Sequence, residues 1–248
     1  MQIQGLLVDL DGTLYVGHEP VAGAGEALDR LRNAGLGIRF VTNTTRKPRS
    51  AVYAQLVSLG FELREEEIFT PARAAAHLIG GRACFPLVAD SLREDLEDVH
   101  LTREKPDFVL VGDLGEDFGY ARLDEAFGLL MEGADLLALQ KNRYWRTGGG
   151  ISLDAGPFVV ALEYASGKTA TVVGKPEKNF FQFALADMSL DADRVAMVGD
   201  DPESDVAGAR AAGLLGVKVK TGKYRPEEER EADLIVESFA GLPEALEI

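Results

Sequence analysis

Short apolar runs alternate with stretches of helical spacing from one end of this chain to the other. The run from Ile3 to Val8 predicts a buried strand, followed by a helix near 23–34 that stops at Gly35. A strand over 37–41 and a helix near 47–59 ending at Gly60 repeat the unit. Thr70-Pro71 marks a further helix start, with Thr as cap and Pro at the first helical position. Strands are predicted near 83–88, 107–112 and 135–139, separated by helices near 90–97 and 120–132. A loop over 140–156 precedes a helix near 157–166, and the core pattern then resumes with strands near 170–173, 194–198, 215–219 and 233–236. Strands and helices in this alternation imply an α/β fold whose parallel sheet is covered on both faces.

The composition leaves that picture unchanged. Hydrophobic residues make up 46% and charged residues 27% of 248, enough for an ordinary core in one large domain or in a core with an inserted module. Cys84 is the only cysteine, which rules out an internal disulfide and a Cys-rich zinc site. With no leader-like segment at the N-terminus and no apolar run long enough to cross a bilayer, the expected location is the cytoplasm, away from membranes. The net charge of −15, from 26 Lys plus Arg against 41 Asp plus Glu, argues against nucleic acid as a partner. A phosphorylated substrate stays compatible with it, because a bound cation and a few donors can invert the field locally.

Candidate chemistry lies where the apolar runs end. The first delivers Asp9 and Asp11 in Asp9-Leu10-Asp11-Gly12-Thr13. An alternating strand would point both carboxylates the same way, and like charges that close call for a cation or a shared proton. Pairs of Asp at strand-ending turns also serve simply as loop formers. The strand over 37–41 ends in Thr42-Asn43-Thr44-Thr45, where Thr42 and Asn43 could bind an oxyanion, or where Thr44 or Thr45 could cap the helix from about Pro48. Lys175 follows another apolar run directly, as either a site group or a solvated charge. The run Val195 to Gly199 opens onto Asp200, Asp201 and Asp205, and acids at a helix start are favourable with no function at all. Helix electrostatics does not explain why three strands should each end in metal-type or phosphate-type ligands.

The ordered set Asp9-Leu10-Asp11-Gly12-Thr13, Thr42-Asn43, Gly174-Lys175-Pro176 and Gly199-Asp200-Asp201…Asp205 resembles the four motifs of the haloacid dehalogenase superfamily phosphatases, across the whole chain. Finer similarity, in Pro157 to Ala165, in Thr171 to Lys178 and in Val219 to Tyr224, points to the branch with a C2-type cap between the second and third motifs. The resemblance implies a Rossmann-like doubly wound core over 1–79 and 173–248, with an inserted α/β cap over 80–172 and a mobile flap from Leu14 to Val21. It implies a magnesium-dependent phosphatase acting on small phosphorylated metabolites, with pyrophosphate or phosphoamino-acid bonds also in range. In that reading Asp9 is the nucleophile and Asp11 the general acid and base. Asp9, Asp200 and the backbone carbonyl of Asp11 hold Mg2+, while Thr42, Asn43 and Lys175 bind the phosphoryl group. Asp205 supports the metal water or the lysine, and Asp201 is a less definite second support. Dehalogenating members lack the acid two residues after the first Asp, so Asp11 favours a phosphatase.

Substrate choice falls to the cap. Lys141 to Gly150 pairs donors with aromatics beside three glycines, which makes Asn142, Arg143, Tyr144 and Arg146 candidates for contacting substrate. The alternative is that the aromatics pack the cap and the arginines stay in water. A homodimer through the caps is a further implication of the resemblance. A phosphotransferase or phosphomutase using the same intermediate is the other enzyme reading, and a phosphate-binding protein without catalysis is the non-enzyme one.

Overall fold

The computed structural model describes residues 3–147, 150–225 and 232–248, with the side chains of residues 145–147 outside that description. The chain forms two compact units. The first comprises Met1–Thr42, Arg49–Phe69 and Lys175–Ile248, and the second Asn43–Pro48 and Thr70–Gly174.

In the first unit a six-stranded parallel sheet is built from β1 (Gly5–Asp9), β2 (Gly37–Val41), β3 (Ile68–Phe69), β4 (Val195–Gly199), β5 (Leu215–Val219) and β6 (Leu234–Val236), in the order β6-β5-β4-β1-β2-β3. Leu6, Leu7 and Val8 are wholly buried, as a strand sandwiched on both faces requires. β1 pairs with β4 on one side (Val8 opposite Val198) and with β2 on the other (Asp9 opposite Val41). The chain leaves β1 toward β2 and later returns to β1's other edge, so the strand order reverses there. At such a switch point the loops beyond the carboxyl ends part and leave a crevice. Asp9 closes β1 at that end. Behind it, Leu6, Val8, Phe40, Val198, Val217 and Phe239 form one apolar cluster that fixes the strand ends.

The second unit has its own five-stranded parallel sheet, in the order Thr171–Val172, Asp135–Ala138, Phe108–Val111, Ala83–Leu87, His100–Leu101. Helix Pro71–Ile79 begins as predicted, with Thr70 Oγ1 accepting from the Arg73 N–H at 3.3 Å. Phe118, just before helix Tyr120–Met131, and Phe158 of helix Gly156–Ser166 stack at 3.8 Å.

Four expectations need correction. The strand near 170–173 pairs with Asp135–Ala138 and therefore extends the second unit's sheet; its apolar run carries no sign of which sheet it joins. The loop over 140–156 contains an antiparallel hairpin, Tyr144–Thr147 with Gly150–Leu153. Its residues are exposed on both faces where described, so no apolar alternation announces it. The helix near 90–97 is a 3-10 segment, Asp90–Leu96. The helix after Thr45 starts only at Arg49, which leaves neither Thr44 nor Thr45 at its cap position. The two-residue strand β3 escapes prediction because it is too short to show a period. Among the described residues no helix is long and apolar enough to cross a membrane.

Candidate active site

Three buried carboxylates meet within the first unit: Asp9, Asp200 and Asp205 each offer an oxygen, and these oxygens lie within 4.8 Å of one another. Asp9 comes from the end of β1, Asp200 directly follows β4, and Asp205 lies in a wide π-helical turn, Pro202–Ala207, that opens the next helix. Turns of that width recur at functional sites. Lys175 reaches between two of the acids, donating from Nζ to Asp9 Oδ1 and to Asp205 Oδ1, both at 2.6 Å. Its side chain is 3% exposed and that of Asp205 1%.

Burial lowers the Lys175 pKa, but Asp205 and Asp9 outweigh it and hold the ammonium above the ordinary lysine range. Burial also pushes the Asp9 carboxyl up, with Lys175 opposing the rise and Asp200 adding to it. Asp205 rises for the same leading reason, against Lys175 and with Asp9. Asp200 is pushed up to about 6 by burial, opposed by the Lys223 N–H and assisted by Asp205. With three acids against one ammonium, the cluster carries two negative charges in excess when all are ionised. At 4.8 Å and an effective dielectric of about 20, each pair of carboxylates repels by ~3–4 kcal/mol. That repulsion is large enough to favour a cation held among oxygen donors, and a hard divalent ion fits such a donor set.

Asp201, beside Asp200, does different work. Its carboxylate caps the helical turn, accepting from Glu203 N–H at 3.1 Å and Ser204 N–H at 2.9 Å, and pairs with Lys223 Nζ at 2.8 Å. Burial raises its pKa, yet Lys223 and those N–H groups carry it below the usual carboxylate range. Of the two adjacent acids, Asp200 is thus the one left facing the cluster. Asp205 is anchored a second time, by the Asp201 N–H at 3.2 Å to its Oδ2.

Asp11 lies beyond the strand on an exposed turn, with an isolated bridge to Tyr15. Leu10 between the two acids is buried, so the pair straddles the end of the strand. Thr42 continues β2, its N–H donating to the Phe69 carbonyl at 3.4 Å. Asn43 begins the segment grouped with the second unit, with its amide oxygen 2.9 Å from where a Cβ on Gly174 would sit. In the second unit, Asn142 and Arg143 accept from Gly156 N–H and Asp154 N–H through their carbonyls, and Tyr144 is 54% exposed. The Arg146 side chain lies outside the described residues, as do Gly148 and Gly149.

Sequence reasoning missed a second layer. The Thr221 hydroxyl donates to the Gly12 carbonyl, and the Lys223 N–H donates to Asp200 Oδ2 at 2.8 Å. Tyr15 has its phenol pushed up to about 12 by burial and by the charges of Asp11 and Asp9. Thr221 and Lys223 fall in a stretch whose similarity to the family is visible, yet its spacing assigns no role. Tyr15 lies in the segment from Leu14 to Val21 that the resemblance marks as a flap, yet nothing in the sequence assigns it a role.

Known proteins resemble this chain over nearly its whole length. The family model for haloacid dehalogenase-like hydrolases matches residues 6–102, and an HAD-hydrolase-like model matches residues 172–242. The chain is 45% identical to haloacid dehalogenase-like hydrolase domain-containing protein 2 of Rattus norvegicus, over 96% of this chain and 93% of that one. It is 36% identical to the phospholysine phosphohistidine inorganic pyrophosphate phosphatase of Homo sapiens, over 99% and 94% of the two chains. Among solved structures, the glycerol phosphate phosphatase of Mycobacterium tuberculosis in complex with magnesium superposes with a TM-score of 0.83 and 30% identity, over 99% of this chain and 76% of that chain. With its motifs on the strand ends of an α/β core and relatives matched over nearly its whole length, this chain belongs to the haloacid dehalogenase-like hydrolase family and is one of its phosphatases.

Proposed function

We propose that this phosphatase is magnesium-dependent and hydrolyses small phosphorylated metabolites through a phosphoryl group carried on Asp9. The observation that carries the proposal is the buried cluster of Asp9, Asp200 and Asp205 around Lys175.

In the first half-reaction an Asp9 carboxylate oxygen attacks phosphorus while the bond to the leaving oxygen breaks. The departing oxygen takes its proton from Asp11, whose exposed position lets it reach a leaving group of varied size. In the second half Asp11, now ionised, takes a proton from water. The water oxygen attacks phosphorus, the Asp9–phosphorus bond breaks, and inorganic phosphate leaves. The sum is one water consumed, one alcohol and one phosphate released. Splitting the displacement this way replaces one difficult step by two easier ones. Lys175 neutralises a phosphoryl oxygen as a fixed point charge, and Thr42 and Asn43 supply donors to the others. Magnesium, bound by Asp9, Asp200 and the Asp11 carbonyl, would neutralise the charge that develops on the phosphoryl oxygens. Asp205 holds Lys175 in place and Asp201 holds the turn. The cap over 80–172 selects the leaving group, with Asn142, Arg143, Tyr144 and Arg146 as its contact residues.

Phosphate release from a panel of phosphomonoesters, pyrophosphate and phosphoramidates tests this reading, run with and without magnesium. Strong metal-dependent release from one class supports it and names the cap's ligand. Release unaffected by chelation would remove the magnesium assignment.

A pH dependence follows from Asp200. Its carboxyl sits at about 6 before any ion arrives, so an ion must displace the proton at lower pH. Apparent magnesium affinity should weaken as the pH falls through about 6, where protons compete with the ion for Asp200. Magnesium titrations followed by thermal midpoint, at about pH 7.5 and about pH 5, read this directly. Equal midpoint shifts at the two values would count against Asp200 as a ligand.

A further inference from the structure

The loop after β5 touches the site in three places, none of which the four motifs include. The Thr221 hydroxyl donates to the Gly12 carbonyl, in the turn that carries Asp11. Gly222 lies against the Asp200 carboxylate: a Cβ there would land on Asp200 Oδ2 and come within 2.7 Å of Gly12 Cα. The next residue, Lys223, gives its N–H to the same Asp200 oxygen at 2.8 Å. Gly12 crowds the same Asp200 oxygen, and its own Cβ would also fall on that carboxylate. Both glycines hold positive φ, +92° and +66°, where a side chain is strained even if room existed.

We infer that Thr221 and Gly222 form a positioning clamp for the metal carboxylate. Asp200 is held between two backbone turns, and the Thr221 hydrogen bond keeps those turns at the separation that fits one carboxylate. The clamp fixes which Asp200 oxygen is engaged by backbone, the Oδ2 that accepts from Lys223, and so leaves Oδ1 for the ion. It also ties the turn bearing the Asp11 carbonyl to the turn bearing Asp200. The inference rests on the proposal that Asp200 binds the ion. Thr221 touches neither substrate nor reacting atom, so its role is positional. Because its contact is uncharged, removing it tests geometry without altering the charge of the site.

The experiment is calorimetric titration of the metal-free full chain with magnesium chloride. Thr221→Val keeps shape and loses the donor, and its magnesium Kd should weaken by about tenfold, roughly one ordinary hydrogen bond. Thr221→Ser restores the hydroxyl and should return within about twofold of wild type, the residue that separates a lost donor from a lost methyl contact. A wild-type Kd in Thr221→Val overturns the clamp. Should that variant fail to fold by circular dichroism, Gly222→Ala carries the test, with magnesium binding expected to vanish and a wild-type Kd overturning the inference. Asp200→Asn separates the two levels. If it binds the ion as wild type does, the ligand assignment fails; if it does not while Thr221→Val binds normally, only the clamp fails.

Discussion

Replacing Asp9 by Asn is expected to lower phosphate release at least ~10⁴-fold, toward the background of the assay, while the chain stays folded. The amide has the shape of the carboxylate but is a poor nucleophile, so the covalent route closes. Folding should survive for an electrostatic reason. Asp9 is one of three mutually repelling carboxylates, so neutralising it relieves repulsion, and Lys175 keeps its bond to Asp205 when Asp9 goes. A stopped assay with an activated aryl phosphate, beside a thermal melt, reads both halves. Activity within tenfold of wild type would remove Asp9 from the role of nucleophile.

The second large effect belongs to Lys175, and here stability changes along with rate. Lys175→Met leaves Asp9 and Asp205 buried without their shared cation. Breaking a buried ion pair from one side costs about 3–5 kcal/mol, because the remaining charge stays desolvated. For a chain of this length that corresponds to a fall of roughly 6–20 °C in the metal-free melting temperature. Asp9 and Asp205 would take up protons in response, so the deficit should be larger at pH 8 than at pH 6. Their pKa values are already raised in the wild type and would rise further without the lysine. Turnover should fall as well, since Lys175 is a buried cation that bridges Asp9 and Asp205. An unchanged melting temperature would mean that the lysine contributes little to the fold and that its contacts with the acids are incidental.

These residues differ in how plainly the sequence displays them. Asp9 and Asp200 stand at the ends of fully apolar runs, and strand-end placement follows from burial of those runs, so both positions are legible from pattern alone. The parallel α/β class is legible for the same reason. Lys175 is not: a lysine after a strand is ordinarily solvated, and only the tertiary approach of Asp205, thirty residues on, makes it buried and paired. In the sequence Asp201 is as compatible with a helix start as with the site, and only its bonds from the Glu203 and Ser204 N–H groups set it apart from Asp200. Thr221 and Gly222 lie 209 and 210 residues from Gly12, and no local signal can report a contact across that separation. Within the second unit, the hairpin at 144–153 carries no alternation because both its faces are wet where described, and periodicity reads burial alone. At Thr171–Val172 the apolar run reads as a strand but not as part of a particular sheet, since such a run records burial and not the neighbour beside it; only the cap range of 80–172 places it with Asp135–Ala138.

The covalent intermediate is the center of the account, and acid-quenched mass spectrometry of an Asp11→Asn variant tests it most directly. With an activated aryl phosphate the leaving group needs no proton, so Asp9 should still be phosphorylated, whereas the water of the second half lacks its base. One phosphoryl group is expected to accumulate on the peptide that carries Asp9 and to be released by hydroxylamine, as an acyl phosphate would be. Turnover that proceeds with that peptide unmodified at every time point, or with the phosphoryl group on another residue, would contradict the mechanism.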